Sequence, residues 1–220
     1  MSNLTLELDN VTYRYASAAA PAVSNVSCAF KPGMMYSVVG PSGSGKSTLL
    51  SLLAGLDLPT QGIIRFDDTD ISTLNLDRYR RESVSMIFQA FHLFSLLTVM
   101  ENVCYPLELC GIAATDAIPR AKRLLENVSI TPEQMKRFPA HLSGGEQQRV
   151  AIARSLAAGA KTILADEPTG NLDVENTKNI MDILLRLAHD EKYCVIIVTH
   201  DLEAAESADV VHQMRGGVFS

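Results

Sequence analysis

A glycine-rich loop that joins an apolar segment to a helical one constrains the fold of this chain more than any other feature. Residues 34–39 are mostly apolar and run directly into Gly40, and a helical segment begins where the loop ends. A short apolar run that ends in glycines predicts a buried parallel strand feeding a loop. The loop itself, Gly40-Pro-Ser-Gly-Ser-Gly-Lys-Ser47, fits the pattern GxxxxGK[ST] in its required context of strand, loop and helix.

Each residue type in this loop suits the binding of nucleotide phosphates. Glycines let successive backbone N–H groups point into one concavity, and the N-terminus of the following helix adds positive potential. Lys46 supplies a mobile cation for the phosphates, and Ser47 offers a hydroxyl to Mg²⁺. A plain turn between strand and helix is the alternative, and the conjunction of Gly45, Lys46 and Ser47 disfavours it. The predicted nucleotide contacts are Gly40, Pro41, Ser42, Gly43, Ser44, Gly45, Lys46, Ser47 and Thr48.

Apolar patterns elsewhere predict an α/β protein. Leucines at positions 4, 6 and 8 alternate with polar residues, which indicates a half-buried antiparallel strand at a sheet edge. Residues 163–165 and 195–198 are short apolar runs that end in polar residues, and ligands of open α/β sheets sit at such carboxyl ends. Between 173 and 190 the apolar spacing predicts a helix that packs on the sheet through Ile180, Ile183, Leu184 and Leu187.

The middle of the chain has a different periodicity. From about residue 97 to residue 156 the apolar spacing is helical and no strand is evident. We predict a single domain, 1–220, whose core is made of residues 1–89 and 157–220 and into which a helical part, 90–156, is inserted. The expected fold class is α/β, with a P-loop NTPase core of parallel sheet and flanking helices, an N-terminal antiparallel β-subdomain and an inserted α-helical subdomain.

Composition excludes several classes of function. The net charge is −6 and no block of basic residues is present, so we expect no nucleic-acid partner. No run of about 18 apolar residues occurs, which predicts no transmembrane segment in the chain itself. Four cysteines lack CxxC spacing, and we interpret them as reduced, buried thiols rather than disulfides or a zinc site: Cys28, Cys104, Cys110 and Cys194.

Two adjacent carboxylates follow one of the predicted strands. Asp166 ends the apolar run and Glu167 comes next. The first can hold Mg²⁺ through its water shell, and the second can orient an attacking water. Two acids after a strand are by themselves more typical of a helix N-cap or a solvated turn. The phosphate loop in the same chain reverses that preference, so we assign Asp166 to the metal and Glu167 to catalysis as a base.

The segment 142–149, Leu-Ser-Gly-Gly-Glu-Gln-Gln-Arg, adds a third motif. Ser143 can cap a helix, while Gly144 and Gly145 leave backbone N–H groups free to meet an anion. Alone, this segment is an ordinary helix start with a capping box. Together with the phosphate loop and the acid pair, it makes the chain resemble the ATP-binding cassette family over nearly all of its length.

The resemblance implies an active site shared between two chains. In that family the serine and glycines of this motif close over the γ-phosphate of an ATP held by the opposite subunit. Ser143, Gly144 and Gly145 are therefore expected to contact ATP across a homodimer that forms on ATP binding. The implied activity is Mg²⁺-dependent ATP hydrolysis, with ATP and Mg²⁺ as the bound groups.

Four further positions match the family residue by residue. Gln89 matches the glutamine that reaches Mg²⁺ and the attacking water, and His200 matches the histidine that contacts the γ-phosphate. Asp173 matches the loop that crosses the dimer interface, and Tyr15 matches the aromatic that stacks on adenine. Each match has a plainer alternative. A glutamine or histidine after a strand is uninformative by itself, and Tyr13 and Tyr15 could equally be strand residues packing on the sheet.

The wider similarity indicates a branch of the family and a partner. Residues 142–149, read with 166–173, 88–94 and 97–103, are similar to bacterial lipoprotein-release, macrolide-efflux, antimicrobial-peptide-resistance and cell-division ATPases. The similarity implies a cytoplasmic subunit, peripheral on the inner face of the cell membrane. It would drive a mechanotransmission permease that has a large extracytoplasmic domain. The alternatives are a nucleotide-switched regulator of an envelope or cell-division complex and, less favoured, an importer ATPase.

Apolar residues in the segment 91–100 have two possible fates. They can line a groove that receives a cytoplasmic helix of the permease, or they can belong to the core of the helical part. For each one taken singly, core burial is the expectation. The residues concerned are Phe91, Leu93, Phe94, Leu96, Leu97, Val99 and Met100.

Overall fold

Strands and helices alternate along the chain in a computed structural model that describes residues 5–219. The strands are β1 (Leu6–Tyr13), β2 (Val23–Phe30), β3 (Met34–Val39), β4 (Gln61–Phe66), β5 (Thr69–Asp70), β6 (Val84–Ile87), β7 (Thr162–Asp166), β8 (Cys194–Thr199), β9 (Val210–Arg215) and β10 (Val218–Phe219). The helices are α1 (Lys46–Leu53), α2 (Leu76–Glu82), α3 (Val99–Leu109), α4 (Ala114–Asn127), α5 (Gly144–Ala157), α6 (Val174–His189) and α7 (Leu202–Glu206).

An antiparallel sheet is formed near the N-terminus by four strands in the order β2-β1-β4-β5. Leu6 and Leu8 are buried and alternate with partly exposed Glu7 and Asp9, as predicted for a half-buried strand. The predicted edge position is wrong, because β1 pairs with β2 on one side and β4 on the other. Period-two alternation reports which face of a strand is buried, and it carries no information about the strand's neighbours. Leu4 lies outside the described residues.

A second sheet carries the chemistry, and its six strands lie in the order β10-β9-β3-β8-β7-β6. β3 is parallel to both β8 and β9, and β7 is parallel to β8 and β6. The predicted parallel strands at 34–39, 163–165 and 195–198 are thus confirmed. Since β3, β8 and β7 are neighbours, the residues that follow their carboxyl ends meet at one edge of the sheet.

Both faces of this sheet are covered at β8. In β8, Val195 and Ile197 pack in one apolar cluster, whereas Ile196 and Val198 pack in another on the opposite face. A parallel strand covered on both faces needs apolar residues throughout, which explains why its sequence does not alternate. Helix α6 covers the first face and α1 the second. The predicted helix between 173 and 190 is confirmed, and its buried stripe includes Ile180, Leu184 and Leu187.

Three helices, α3, α4 and α5, lie between β6 and β7 and pack on one another. Ala117, Ala121 and Leu125 of α4 are fully buried among them. α3 and α5 each begin with a capping box, in which Thr98 or Ser143 caps the helix and a glutamate three residues later reaches back. These boxes fix where both helices start, so the residues just before them have defined positions.

Two expectations about burial need correction. Cys104 and Cys194 are buried, but Cys28 is only half-buried and Cys110 is exposed, although all four thiols are free. Cys110 caps the C-terminus of α3 and follows Leu109, which is itself 66% exposed, so the buried stripe of the helix ends before this cysteine. Among residues 5–219, no helix combines the length and the apolar character needed to cross a bilayer.

Candidate active site

Three strand ends converge on one cavity. The loops after β3, β7 and β8 meet beside the N-terminus of α1, around a cavity of about 650 Å³. Its lining joins residues from distant parts of the sequence, which the parallel order of the three strands brings together. The lining residues are Tyr15, Ala22, Ser42, Gly43, Gly45, Lys46, Ser47, Thr48, Glu167 and His200.

The phosphate loop, Gly40–Ser47, requires glycine at two positions for reasons of space as well as conformation. Gly45 has φ +105°, and a Cβ there would lie 2.1 Å from the carbonyl oxygen of Ala22. A Cβ on Gly40 would lie 2.1 Å from the carbonyl oxygen of Met214. Gly45 caps α1 without a side chain, so the N–H groups of the first turn stay available to an anion.

Lys46 is held within this loop. Its ammonium donates to the carbonyl oxygens of Gly40 at 2.8 Å and Pro41 at 3.1 Å, and the side chain is largely buried. An ammonium has three donors, so these two bonds leave one for a phosphate oxygen. The loop thus presents a pre-positioned cation together with its backbone N–H groups.

Ser47 and Asp166 fit a hard cation. The Ser47 hydroxyl donates to Oδ1 of Asp166 at 3.3 Å, so the two oxygens converge across the gap between α1 and β7. Burial raises the pKa of Asp166 above its usual range; the hydrogen bond from Ser47 and the charge of Lys46 oppose this, whereas Glu167 adds to it. Magnesium prefers such oxygen donors and takes its remaining ligands from water and phosphate. The described residues hold no cluster of three or more His, Cys, Asp or Glu side chains for a protein-only metal site.

Glu167 is held by the loop after β8. Its backbone is left-handed, with φ +48°, and its side chain is mostly buried. One carboxylate oxygen lies 2.9 Å from Nδ1 of His200, and the other accepts from Thr199 Oγ1 at 3.1 Å and from the His200 backbone N–H at 3.3 Å. The structure therefore brings together Glu167 and His200, both assigned to the site from the sequence.

Thr199 was missed at the sequence level. Its side chain is buried, and its hydroxyl donates to Glu167 while accepting from the backbone N–H of Asp201 at 3.0 Å. A hydroxyl has one hydrogen, so these two partners fix its orientation. The available signal was a polar residue closing an otherwise apolar run at residues 194–199.

Tyr15 lies beyond the end of β1, at the rim of the cavity. Its hydroxyl is 3.1 Å from Oγ1 of Thr48, and its ring stands edge-on to Tyr13 with centroids 4.9 Å apart. Tyr15 is 44% exposed and lies beyond the last residue of β1, so it is not a strand residue of the sheet. A flat base could stack on it, and that role for Tyr15 stays a prediction.

Gln89 does not join the other predicted metal ligands. Its Nε2 donates to Oδ1 of Asn171 at 3.4 Å, and Asn171 Nδ2 donates back to the Gln89 carbonyl at the same distance. A Cβ on Gly170 would lie 2.8 Å from Gln89 Nε2, so this glycine makes room for the amide. No hydrogen bond connects Gln89 to Ser47 or Asp166 among the described residues, and its metal role stays a prediction.

Ser143 and Asp173 lie outside the cavity and cap helices. Ser143 Oγ accepts a hydrogen bond from the Glu146 backbone N–H at 3.3 Å, and the Glu146 carboxylate accepts one from the Ser143 backbone N–H at 2.7 Å. Gln134 donates to the same Glu146 carboxylate. Burial by itself raises the pKa of Glu146, but these hydrogen bonds outweigh it and hold the pKa below its usual range. Neither Ser143 nor Gly144 and Gly145 line the cavity of their own chain.

The segment 91–100 is less buried than expected. Val99 is fully buried, as predicted, but Phe94 and Leu96 are exposed. The guanidinium of Arg154 on α5 donates to the Phe91 and His92 carbonyls, which holds the loop in place while Phe94 and Leu96 stay exposed. Exposed apolar residues here leave a surface beside the joint between β6 and α3.

Comparisons with known proteins found a family model and several relatives that are similar to this chain. A family model described as "ABC transporter" matches residues 23–170. The uncharacterized ABC transporter ATP-binding protein YclH of Bacillus subtilis is 38% identical over 98% of this chain and 95% of its own length. The lipoprotein-releasing system ATP-binding protein LolD of Legionella pneumophila is 40% identical over 94% of this chain and 92% of its own. The methionine import ATP-binding protein MetN of Caulobacter vibrioides is 40% identical over 90% of this chain, which spans 60% of MetN.

Solved structures share the fold. A dimeric structure of the bacterial ABC transporter cassette MJ0796 is 36% identical to this chain and superposes with a TM-score of 0.88, covering 98% of this chain and 96% of that chain. A dimeric post-hydrolysis state of the same cassette, bound to ADP and Pi, gives a TM-score of 0.87 with the same coverage. At that identity and coverage the likeness concerns the entire domain.

Proposed function

This chain belongs to the ABC transporter family, and on that premise we propose that it is an ATPase subunit that works as a homodimer and drives a separate integral membrane permease. One observation carries the proposal. The phosphate loop, the acid pair and His200 surround one cavity, while Ser143 and Gly145 lie outside it. A second copy of the chain would supply those residues from across the interface and complete the site.

Within one chain, each residue has a task that its geometry supports. Lys46 and the first-turn N–H groups of α1 would bind the phosphates, and Ser47 and Asp166 would hold Mg²⁺, with Gln89 joining them after leaving Asn171. When bound, Mg²⁺ supplies electrostatic stabilisation of the phosphate oxygens. Tyr15 would stack on the adenine.

Glu167 would orient and polarise the attacking water, since its carboxylate is an acceptor fixed on two sides by Thr199 and His200. His200 is 67% exposed in its side chain and reaches the cavity, so it would also meet the γ-phosphate. Ser143, Gly144, Gly145 and Asp173 of the other copy would close the site and exclude water.

The finer assignment is to the lipoprotein-release and mechanotransmission type. Its support is the similarity to LolD, which covers nearly the full length of both chains. MetN is equally identical, so the importer type is the second candidate.

We propose that residues 90–156 form the helical part that meets the permease, and that the chain sits peripherally on the inner face of the membrane. The permease that copurifies with the chain decides between the two types, since only the first would carry a large extracytoplasmic domain.

The central experiment uses Glu167→Gln. Loss of the charged base should abolish most ATP hydrolysis while leaving ATP binding intact, so the variant should accumulate as an ATP-bound dimer. Size-exclusion chromatography with saturating ATP and Mg²⁺, alongside a phosphate-release assay, measures both effects. A variant that binds ATP normally yet remains monomeric would contradict the shared-site proposal.

Two control variants accompany it. Glu191→Gln makes the same chemical change at an exposed position after α6, remote from the cavity lining, and should hydrolyse ATP like the unchanged chain. Lys46→Ala should lose ATP binding and with it the ATP-dependent dimer, because the loop would lose its cation. If Lys46→Ala dimerised as Glu167→Gln does, dimerisation would not depend on the phosphate loop.

A further inference from the structure

Asn176, at the third position of α6, belongs to none of the motifs found in the sequence. It nevertheless joins two of them. Its backbone N–H donates to Oδ1 of Asp173 at 2.8 Å, and its side-chain Nδ2 donates to Oδ1 at 3.0 Å and to Oδ2 at 2.9 Å. Asp173 is the cap of α6, so Asn176 fixes the carboxylate through both of its oxygens.

The other end of the same amide rests on Gly145. A Cβ at Gly145 would lie 2.0 Å from Oδ1, 2.5 Å from Cγ and 3.1 Å from Cβ of Asn176. Glycine is therefore the one residue type that lets the amide approach the first turn of α5 so closely. The orientation of the amide is settled by chemistry, since a carboxylate can only accept hydrogen bonds and must face Nδ2.

A second contact runs beside the first. A Cβ on Gly144 would lie 3.5 Å from Cδ2 of Leu172, so Leu172 covers the neighbouring glycine at van der Waals distance. The loop Gly170–Asp173 thus rests on the start of α5 through Leu172 and, by way of Asn176, through Asp173. Residues 170–173 and 143–144 are half or fully exposed. The contacts of Leu172 with Gly144 and of Asn176 with Gly145 therefore fix how the loop lies relative to the start of α5.

We propose that Asn176 is a positioning residue that locks Asp173 onto Gly145, so that the loop Gly170–Asp173 and the segment Ser143–Gly145 approach the nucleotide of the partner subunit as one rigid unit. This inference rests on the proposed function, which places both segments at the dimer interface. Asn176 itself is half-buried and need not touch ATP. It acts by keeping two recognition elements in register, and the loss of register would weaken dimer closure rather than ATP binding by the monomer.

The first test compares dimer formation in the Glu167→Gln background. Asn176→Asp keeps the size of the side chain but replaces the donor that faces Asp173 with a second carboxylate. We expect the ATP-dependent dimer to weaken by about tenfold or more, with ATP affinity of the monomer unchanged. Asn179→Asp is the matched control, because it makes the same change on an exposed part of the same helix and should leave the dimer unaltered. Analytical ultracentrifugation over a concentration series gives the dimer dissociation constant.

The second test addresses the contact itself in the monomer. Gly145→Ala should lower the melting temperature in the otherwise unchanged chain because its Cβ meets Asn176. In an Asn176→Ala background the same change should lower the melting temperature less, since the contacts at 2.0 Å with Oδ1 and 2.5 Å with Cγ are removed and only the contact at 3.1 Å with Cβ remains. Equal effects in both backgrounds would overturn the inferred contact.

The outcomes separate the two proposals. A Glu167→Gln chain that dimerises equally well with and without Asn176→Asp overturns this inference and leaves the proposed function standing. A Glu167→Gln chain that never dimerises with ATP overturns the proposed function and, with it, the role of Asn176 at the interface.

Discussion

The hydroxyl of Thr199 donates to the carboxylate of Glu167 across 3.1 Å, from the end of β8 to the residue after β7. Glu167 has the left-handed backbone that aims its side chain at this neighbour, and its N–H donates to the Val198 carbonyl at 2.9 Å. The position of the proposed base is therefore set by the adjacent strand as well as by its own. A rigid acceptor loses little entropy when it orients a water molecule.

Removing this hydroxyl should slow hydrolysis without weakening ATP binding. Thr199→Val keeps the shape of the side chain but removes the hydrogen bond. We expect kcat to fall about tenfold, because the free energy of one hydrogen bond corresponds to a rate change of that size, and KM for ATP to stay nearly unchanged. Thr199→Ser retains the donor and should stay within about threefold of the unchanged chain. Steady-state ATPase kinetics measure both. A parallel rise in KM for Thr199→Val would indicate a binding role instead.

Arg154 should control the loop between β6 and α3. Burial lowers the pKa of its guanidinium, which nevertheless donates to two loop carbonyls and lies 5.8 Å from the Phe94 ring centroid. Arg154→Met should leave ATP binding intact but speed proteolysis within 88–97 and reduce stimulation of ATPase activity by the permease. Arg123→Met, on the exposed side of α4, is the control. Unchanged proteolysis in Arg154→Met would show that the loop is held by other contacts.

Asn102 should contribute strongly to stability. It is fully buried, and its side chain bonds the N–H and carbonyl of Phe94 and the carbonyls of Leu97 and Thr98. Asn102→Ala would remove the side-chain partner of the Phe94 N–H and of the Leu97 carbonyl, while the Phe94 and Thr98 carbonyls would keep only their backbone donors, and we expect the free energy of unfolding to fall by roughly 2–4 kcal/mol. Urea denaturation of this variant beside the exposed Asn179→Ala measures the difference. A loss below about 0.5 kcal/mol, typical of surface changes, would contradict the expectation.

Asp209 should stabilise the folded protein near neutral pH but not in acid. Burial by itself raises the pKa of Asp209, but hydrogen bonds from the Met35 N–H at 2.7 Å and from His189 at 3.0 Å hold the pKa below its usual range. The pKa of an aspartate in the unfolded chain is about 3.9, and above that pH the lowered pKa of Asp209 stabilises the folded protein. This contribution is lost as the pH falls through the lower pKa that Asp209 has in the folded protein. Asp209→Asn should therefore unfold at a lower urea concentration than the unchanged chain at pH 6. The difference between the two midpoint urea concentrations should narrow below pH ~4. A gap that widens in acid would reverse the sign of this argument.

Local sequence determined much of this protein. Strand β3, the phosphate loop and α1 follow from a contiguous pattern, because apolar burial, glycine conformations and helix start signals act over a few residues. The same holds for the buried stripe of α6 and for the cap at Ser143. The order of the motifs along the chain was also sufficient to indicate the family.

Tertiary structure decided which of these segments meet. It placed β1 between two strands, turned Gln89 toward Asn171, and brought Thr199 to Glu167 and Asn176 to Gly145. The side-chain contacts among these join residues about thirty or more positions apart, as with the 32 between Thr199 and Glu167. They depend on strand order and on the space left between packed elements, neither of which a local pattern encodes. The chemical groups of the site are therefore written in the sequence, whereas their mutual positions arise from the packing of the sheet and helices.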